Sequence, residues 1–260
     1  MANPVIIVTG ASRGLGLAAA RSAASLGARV ILAARTADAL DRAARKIEAQ
    51  GGEARAVPAD VTSLDDCRRI IDTALSQYGQ IDALIHNSGM IQPIAPLASA
   101  DPLAWQENWR VNLLAPVLLP RLALRHLRMT RGRVISVSSG ASINVVRGWG
   151  GYSTAKAALN HFTAILAAEE PEITALAFRP GLVDTQMQAE IRTEGREGMG
   201  AEEYQRLSSA HDQGRLLPPE VPGEALACLA LYASPEWSGE FVQWDDPRVQ
   251  ALVEKRGRAL

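Results

Sequence analysis

Val5-Ile6-Ile7-Val8-Thr9-Gly10-Ala11-Ser12-Arg13-Gly14-Leu15-Gly16 decides the fold. Its first four residues are an apolar, β-branched run, as in a strand covered on both faces. Glycines follow at 10, 14 and 16, then an alanine-rich stretch of helical character to about Leu26. Strand, glycine-rich turn and helix in this order bring a helix N-terminus to a backbone that can turn sharply, which suits a pyrophosphate. The spacing Gly-x-x-x-Gly-x-Gly departs from the Gly-x-Gly-x-x-Gly dinucleotide fingerprint. The glycines alone are therefore a weak signal, and their place between a first strand and a first helix carries the argument.

Outward from this stretch, short apolar runs alternate with amphipathic ones. Further strands are predicted at 29–33, 53–58, 81–85, 133–137, 174–178 and 240–244. Helices are predicted at 37–50, stopped by Gly51-Gly52, and at 63–78, with Ser63 as N-cap. A long helical stretch at 105–128 is interrupted by prolines, and a helix at 152–169 has Ala155, Ala158, Leu159, Phe162, Ile165 and Leu166 on its apolar face. The expectation is an α/β chain: one Rossmann-type domain over 1–260, with a doubly wound parallel sheet of about seven strands and helices on both faces. Residues 186–220 break the rhythm, being polar and scattered with Gly195, Gly198, Gly200 and Gly214. They are read as a cover over a site, ahead of a plain surface insertion.

Composition bounds the function. A chain of 260 residues, 47% apolar and 21% charged, has the size and balance of one large globular domain. A net charge of −1 offers no basic surface to nucleic acid or anionic lipid. Cys67 and Cys228 lie far apart and read as small buried hydrophobes in a reducing compartment. The histidines at 86, 126, 161 and 211 have no metal-ligand spacing. No signal peptide is expected, since a buried strand already occupies 4–8. No membrane span is expected either, because the apolar stretch 111–127 holds Pro116, Pro120, Arg121, Arg125 and His126. A cytoplasmic protein is the resulting expectation.

The second strand ends in Ala33-Ala34-Arg35-Thr36. An NAD site carries an acid there for the ribose 2′-hydroxyl. Here no carboxylate would repel a 2′-phosphate, and Arg35, with Arg13 from the turn, can hold one. NADP(H) is therefore expected ahead of NAD(H). Asp60-Val61 suits the adenine edge, and His86-Asn87-Ser88-Gly89 follows the fourth strand, where a ligand crevice would pass.

Tyr152 and Lys156 stand four residues apart, thirteen after Ser139. On a helix such a pair shares a face. A phenol, with an ordinary pKa of about 10, is a poor acid at neutral pH. A nearby cation lowers that value, and a serine hydroxyl can hold the same carbonyl oxygen. The pair also occurs by chance in ordinary helices, so it gains meaning only beside a nucleotide site.

Thr9-Gly10-x-x-x-Gly14-x-Gly16, Asp60, Asn87-x-Gly89, Asn112, Ser139, Tyr152-x-x-x-Lys156 and Pro180-Gly181-x-Val183-x-Thr185 occur in that order over nearly the whole chain. In this the chain resembles the short-chain dehydrogenase/reductase family. It departs at His86 and Ser88, where the family usually has Asn-Asn-Ala-Gly. The runs 149–162, 180–188 and 239–247 look like those of the benzil reductases, NADPH-dependent reductases of aromatic ketones and diketones.

The resemblance implies hydride transfer to a carbonyl carbon, with Tyr152 as proton donor. Lys156 would lower the tyrosine pKa and hold the nicotinamide ribose, Ser139 would polarise the carbonyl, and Asn112 would hold a relay water. It implies NADP(H) contacts from Gly10, Ser12, Arg13, Gly14, Leu15, Gly16, Arg35, Asp60, Val61, Asn87, Gly89, Tyr152, Lys156, Pro180, Gly181, Val183 and Thr185, and a homodimer or homotetramer. Met90, Ile91, Ala141, Ile143, Trp149, Leu182 and Met187 lie next to the motifs. They suggest a pocket for an apolar or aromatic small-molecule carbonyl. Trp105 and Trp109 read as packing or subunit contacts. Three alternatives are weaker. A 3-oxoacyl thioester reductase should carry a basic docking patch, Arg35 argues against an NAD-dependent alcohol dehydrogenase, and the complete Ser, Tyr and Lys set argues against a non-catalytic NADP(H) sensor.

Overall fold

The structure, a computed structural model, describes residues 3–257. Its strands are β1 (Val5–Thr9), β2 (Arg29–Ala34), β3 (Glu53–Pro58), β4 (Ala83–His86), β5 (Arg133–Val137), β6 (Thr174–Arg179) and β7 (Phe241–Gln243). They form one seven-stranded sheet in the order β3-β2-β1-β4-β5-β6-β7, parallel throughout. The helices are α1 (Gly14–Ser25), α2 (Ala37–Glu48), α3 (Leu64–Tyr78), α4 (Pro102–Trp109), α5 (Ala115–Thr130), α6 (Gly150–Glu169), α7 (Gln186–Met199), α8 (Ala201–Asp212), α9 (Glu220–Tyr232) and α10 (Pro247–Gly257).

Alternation of side chains along the strands builds two cores. Ile6, Val8, Val30 and Leu32 pack on α1, α2 and α9. Val5, Ile7, Ile31 and Leu84 pack on the other face, against α3, α5 and α6. Ser63 caps α3 as predicted, its side chain accepting from the Asp66 N–H. On α6, Ala155, Leu159 and Leu166 are buried, whereas Ile165 of the predicted apolar face is exposed. Lys156 and Thr163 take places in the buried stripe instead.

The proline-interrupted stretch at 105–128 resolves into α4, a π turn at Arg110–Leu114, and α5. The Ala115 N–H reaches the Arg110 carbonyl, five residues back. Pro116 lies in the first turn of α5 and Pro120 inside it. Neither can donate a backbone hydrogen bond, so the ladder widens where it loses them. The polar region at 186–220 contains two helices, α7 and α8, where the sequence suggested only an irregular excursion. Gly195 and Gly198 sit inside α7 because neighbours press on them: a Cβ at Gly195 would lie 2.9 Å from Met199 Sδ, and one at Gly198 would strike the Ile94 carbonyl. The strongly apolar α9, buried from Ala225 to Leu231, and α10 lie outside the predicted elements. A helix buried on nearly all sides has no polar face to give a period.

The strand order reverses between β1 and β4, which opens a crevice at their carboxyl ends. Helix α1 starts in that crevice and must approach β1 closely. A Cβ on Gly16 would lie 2.5 Å from the Gly10 carbonyl oxygen and would also strike Asn87 Nδ2. Gly16→Ala should therefore lower unfolding stability by about 1–3 kcal/mol in urea titrations without ligand. Wild-type stability in that variant would show the contact to be slack.

Candidate active site

Thr9, at the end of β1, holds the crevice open in a fixed shape. Its Oγ1 accepts from the backbone N–H groups of Asn87 and Ser88, both at 3.1 Å. Asn87 returns the contact: its Nδ2 donates to the carbonyls of Thr9 (3.1 Å) and Gly10 (3.3 Å). Gly10 and Gly14 have φ of 64° and 54°, left-handed values that L side chains rarely adopt. Helix α1 begins without a side-chain cap, so its first N–H groups have no side-chain acceptor. Across the cleft, Thr185 lies over Gly14, its Cγ2 3.4 Å from where a Cβ would stand.

The cleft has a volume of about 890 Å³. At one end it is lined by Gly10, Ser12, Arg13, Gly14, Leu15, Arg35, Asp60 and Val61, and further along by Asn87, Gly89, Pro180, Gly181, Val183 and Thr185. Arg13 and Arg35 are exposed, and among the described residues neither has an ion-pair partner. Burial alone would raise the Asp60 pKa; the two hydrogen bonds from Thr62 and the charges of Arg35 and Arg110 outweigh it and hold the carboxyl below its usual range. Gly16 does not line the cleft; its place is the close contact under the turn.

Ser139, Tyr152 and Lys156 meet at the other end. Two tryptophans fix the start of α6. A Cβ on Gly150 would lie 2.6 Å from the Trp105 ring, and Trp109 Nε1 donates to the Gly151 carbonyl and Thr154 Oγ1, both at 3.2 Å. Gly150-Gly151 thus admit Trp105, not a bulky ligand. Lys156 is buried, and its Nζ donates to the Val137 carbonyl at 2.7 Å. Burial pushes its pKa down to about 8.

Tyr152 is buried too, and burial raises the phenol above its usual value while the Ser139 hydroxyl beside it pulls the other way. The net shift is upward, against the lowering expected from Lys156: burial is the largest cause, and Nζ stands 5.7 Å from the ring centroid. Ser138 turns inward toward the Lys156 carbonyl, at 3.5 Å. Asn112 is fully buried and its side chain is already committed. Nδ2 donates to Met90 O (2.7 Å) and Asn108 Oδ1 (2.8 Å), and Oδ1 accepts from Met90 N–H (3.3 Å).

The wall beside Tyr152 is apolar. Met90, Trp149, Leu182 and Met187 line the cleft; Ile91 and Ala141 are packed in the cluster behind it, and Ile143 is exposed. Trp149 stands edge-on to Tyr152, ring centroids 5.7 Å apart. Sequence reasoning missed Gln188 and Ile191 in the lining, because α7 was not read as a helix, and it missed Gln92 in the loop after β4. Trp149 Nε1 and Gln188 Oε1, both buried, have no hydrogen-bond partner among the described residues. The α7–α8 hairpin is tied at its base, where Val183 pairs with Leu217, and to the loop after β4, where Gln92 donates to Glu194 at 2.6 Å.

A doubly wound parallel sheet, a glycine turn at its switch point, and Ser, Tyr and Lys at the cleft's far end define an oxidoreductase of the dinucleotide-dependent kind. Residues 4–196 match the family model for short chain dehydrogenase, and the chain belongs to that family, whose members use NAD(P)(H). An uncharacterized oxidoreductase of Schizosaccharomyces pombe is 36% identical over 245 residues, 94% of this chain and 97% of that protein. A benzil reductase ((S)-benzoin forming) of Saccharomyces cerevisiae is 33% identical over 257 residues, covering 94% of this chain and 97% of its own. The crystal structure of the KRED1-Pglu enzyme superposes with a TM-score of 0.89 at 37% identity, over 92% of this chain and 100% of that one.

A lysine with a folded pKa of about 8, against 10.5 for the free side chain, binds fewer protons folded than unfolded between those values. Stability therefore rises with pH across that window. In urea titrations the wild type should gain on Lys156→Met from about pH 8 to about pH 10.5, and the two should run parallel below pH 7. Parallel behaviour throughout would contradict the burial of a charged lysine.

Proposed function

We propose that this chain is an NADPH-dependent carbonyl reductase for apolar or aromatic ketones and diketones. One observation carries the reading: Ser139, Tyr152 and Lys156 line one cleft together with Arg13 and Arg35, which have no ion-pair partner among the described residues. The identity to a benzil reductase supports the substrate class.

The residues present fit a dinucleotide. The left-handed glycines, the uncapped start of α1 and the close approach at Gly16 leave room and donors for a pyrophosphate. Arg13 and Arg35 would hold a 2′-phosphate, Asp60 and Val61 the adenine, Asn87 and Gly89 the adenosine ribose. Lys156 would hold the nicotinamide ribose, with Val183 and Thr185 at the carboxamide. When bound, NADPH supplies a hydride to the carbonyl carbon. Tyr152 gives its proton to the carbonyl oxygen, and Ser139 donates a hydrogen bond to the same atom. Burial makes the phenol a weaker acid than a free one, so the transfer leans on the Ser139 hydroxyl beside it and on the Lys156 ammonium. Lys156 stabilises the phenolate left behind.

Asn112 serves the relay with its backbone. The residue four further on is Pro116, which has no N–H to give the Asn112 carbonyl, so that oxygen can take a water. Trp149 Nε1, a donor without a partner among the described residues, is the polar anchor for a second oxygen of the substrate. The α7–α8 hairpin is the cover, latched by Gln92 and Glu194. Exposed Leu103, Trp109 and Leu114 support assembly into a homodimer or homotetramer. No helix among the described residues is long and apolar enough to cross a membrane, in keeping with a cytoplasmic enzyme.

NADPH oxidation across diketones, aryl ketones, pterins and acyl thioesters tests the substrate class. Aromatic diketones should give the highest kcat/KM, and Tyr152→Phe should abolish turnover while keeping NADPH affinity. A preference for acyl thioesters, or an active Tyr152→Phe, would overturn the reading. For the cofactor, Arg35→Asp should move the NADPH/NADH ratio of kcat/KM toward NADH by about tenfold or more. An unchanged ratio would remove Arg35 from the 2′-phosphate site.

A further inference from the structure

Val61, Ser88 and Val111 line two spaces: the cleft, and a separate small cavity beneath its floor. The cavity measures about 10 Å³ and is completed by Thr9, His86, Ala115, Pro116 and Leu119. That is room for one water-sized molecule. The lining residues bring one buried side-chain atom that needs a partner and one backbone carbonyl that the helix pattern leaves short of a donor. His86 is buried, and its Nε2 has no hydrogen-bond partner among the described residues. The second is the carbonyl of Val111. Its α-helical donor would be the Ala115 N–H, but that group is given to Arg110 in the π turn. Its π-helical donor would be residue 116, a proline without N–H. Carbonyls of a helix point toward its C-terminus, and Ala115 and Pro116, the residues in that direction, both line the cavity. Thr9 Oγ1 is already occupied by Asn87 and Ser88, whereas Ser88 adds a hydroxyl of its own to the lining.

We infer that this cavity is a site for one ordered water molecule, held by the His86 imidazole, the Ser88 hydroxyl and the Val111 carbonyl, and that His86 is thereby a positioning residue for the π turn that carries Asn112. A water can make all three hydrogen bonds at once, and a dry site would leave two buried polar groups unsatisfied. An inorganic cation does not fit: Lys156 is near enough that its charge, after burial, helps hold the imidazole neutral, with a pKa lowered to about 3. The bridge runs from the end of β4 to the π turn. The Asn112 side chain makes a second tie between the same turn and Met90. Together they fix the turn from both sides of Gly89, whose Cβ position lies 2.9 Å from Asn112 Oδ1. The site is separate from the relay water proposed on the Asn112 carbonyl, since neither Asn112 nor Lys156 lines this cavity.

The water site stands on geometry alone; its effect on turnover rests on the carbonyl reductase reading. High-resolution crystal structures of the wild type, His86→Leu and His86→Gln separate the two. In the wild type one water should lie within hydrogen-bond distance of His86 Nε2 and the Val111 carbonyl. In His86→Leu it should be lost, with faster amide exchange in residues 113–117, and kcat should fall roughly tenfold, as for one lost positioning hydrogen bond, with the KM for NADPH nearly unchanged. His86→Gln, which keeps a polar group in reach, should recover the water and most of kcat. A dry cavity in the wild type would overturn the site. Unchanged exchange and kcat in His86→Leu, or a failure of His86→Gln to restore either, would overturn the positioning role. A wild type that reduces no carbonyl would instead refute the proposed function and leave the crystallographic and exchange results to decide the water.

Discussion

Two backbone N–H groups, of Asn87 and Ser88, converge on one hydroxyl, that of Thr9. This happens where β1 and β4 part, the only neighbouring strands whose connections lead to opposite sides of the sheet order. Strands that diverge leave backbone donors without ladder partners, and buried donors must be paired. Thr9 satisfies two of them, and Asn87 reciprocates on the glycine turn. The shape of that turn, the start of α1 and the floor of the cleft all follow from this exchange. Gly10 and Gly16 are glycine for the same reason: a side chain on either would occupy the place of the Asn87 amide.

At the opposite end of the cleft the chain accepts an electrostatic cost. An ammonium with no carboxylate partner among the described residues is buried against the Val137 carbonyl. A buried phenol stands next to it, and a buried imidazole behind it. None of these groups is at its ordinary pKa, and in each case burial is the largest cause. Such a cluster would be a poor way to stabilise a fold, and clusters of this kind collect where protons move.

The fold was largely legible in the sequence because strands buried on both faces are continuous apolar runs. Residues 133–137 match β5 at both ends, and 53–58 match β3 at both ends although that edge strand exposes Glu53, Arg55 and Pro58. Ser63 could be recognised as a cap because its chemistry is local. Three features were hidden for three different reasons. Helix α9 is apolar on nearly every side, so no period marks it. Helix α7 carries Gly195 and Gly198, which read as breakers until Met199 and Ile94 are brought against them. The π turn depends on which carbonyl Ala115 chooses, and spacing does not record that choice. In the site, motif spacing was enough to gather Ser139, Tyr152 and Lys156. It could not give the direction of the Tyr152 pKa, which depends on burial, nor the use of the Asn112 side chain, which depends on Met90.

The parallel bridge between Val183 and Leu217, just past the end of β6, means that the chain departs and comes back beside itself at one spot. Two backbone hydrogen bonds, Asp184 to Leu217 and Leu217 to Leu182, seal that gate. Everything between is a closed excursion, and the entropy of closing a longer one grows only slowly with length. Insertions or deletions around Gly214, which has open space around its Cα, would leave β6 and α9 where they are. A lineage carrying this architecture can remodel the wall beside Tyr152 one mutation at a time, while the glycine turn at the other end of the cleft is inherited intact.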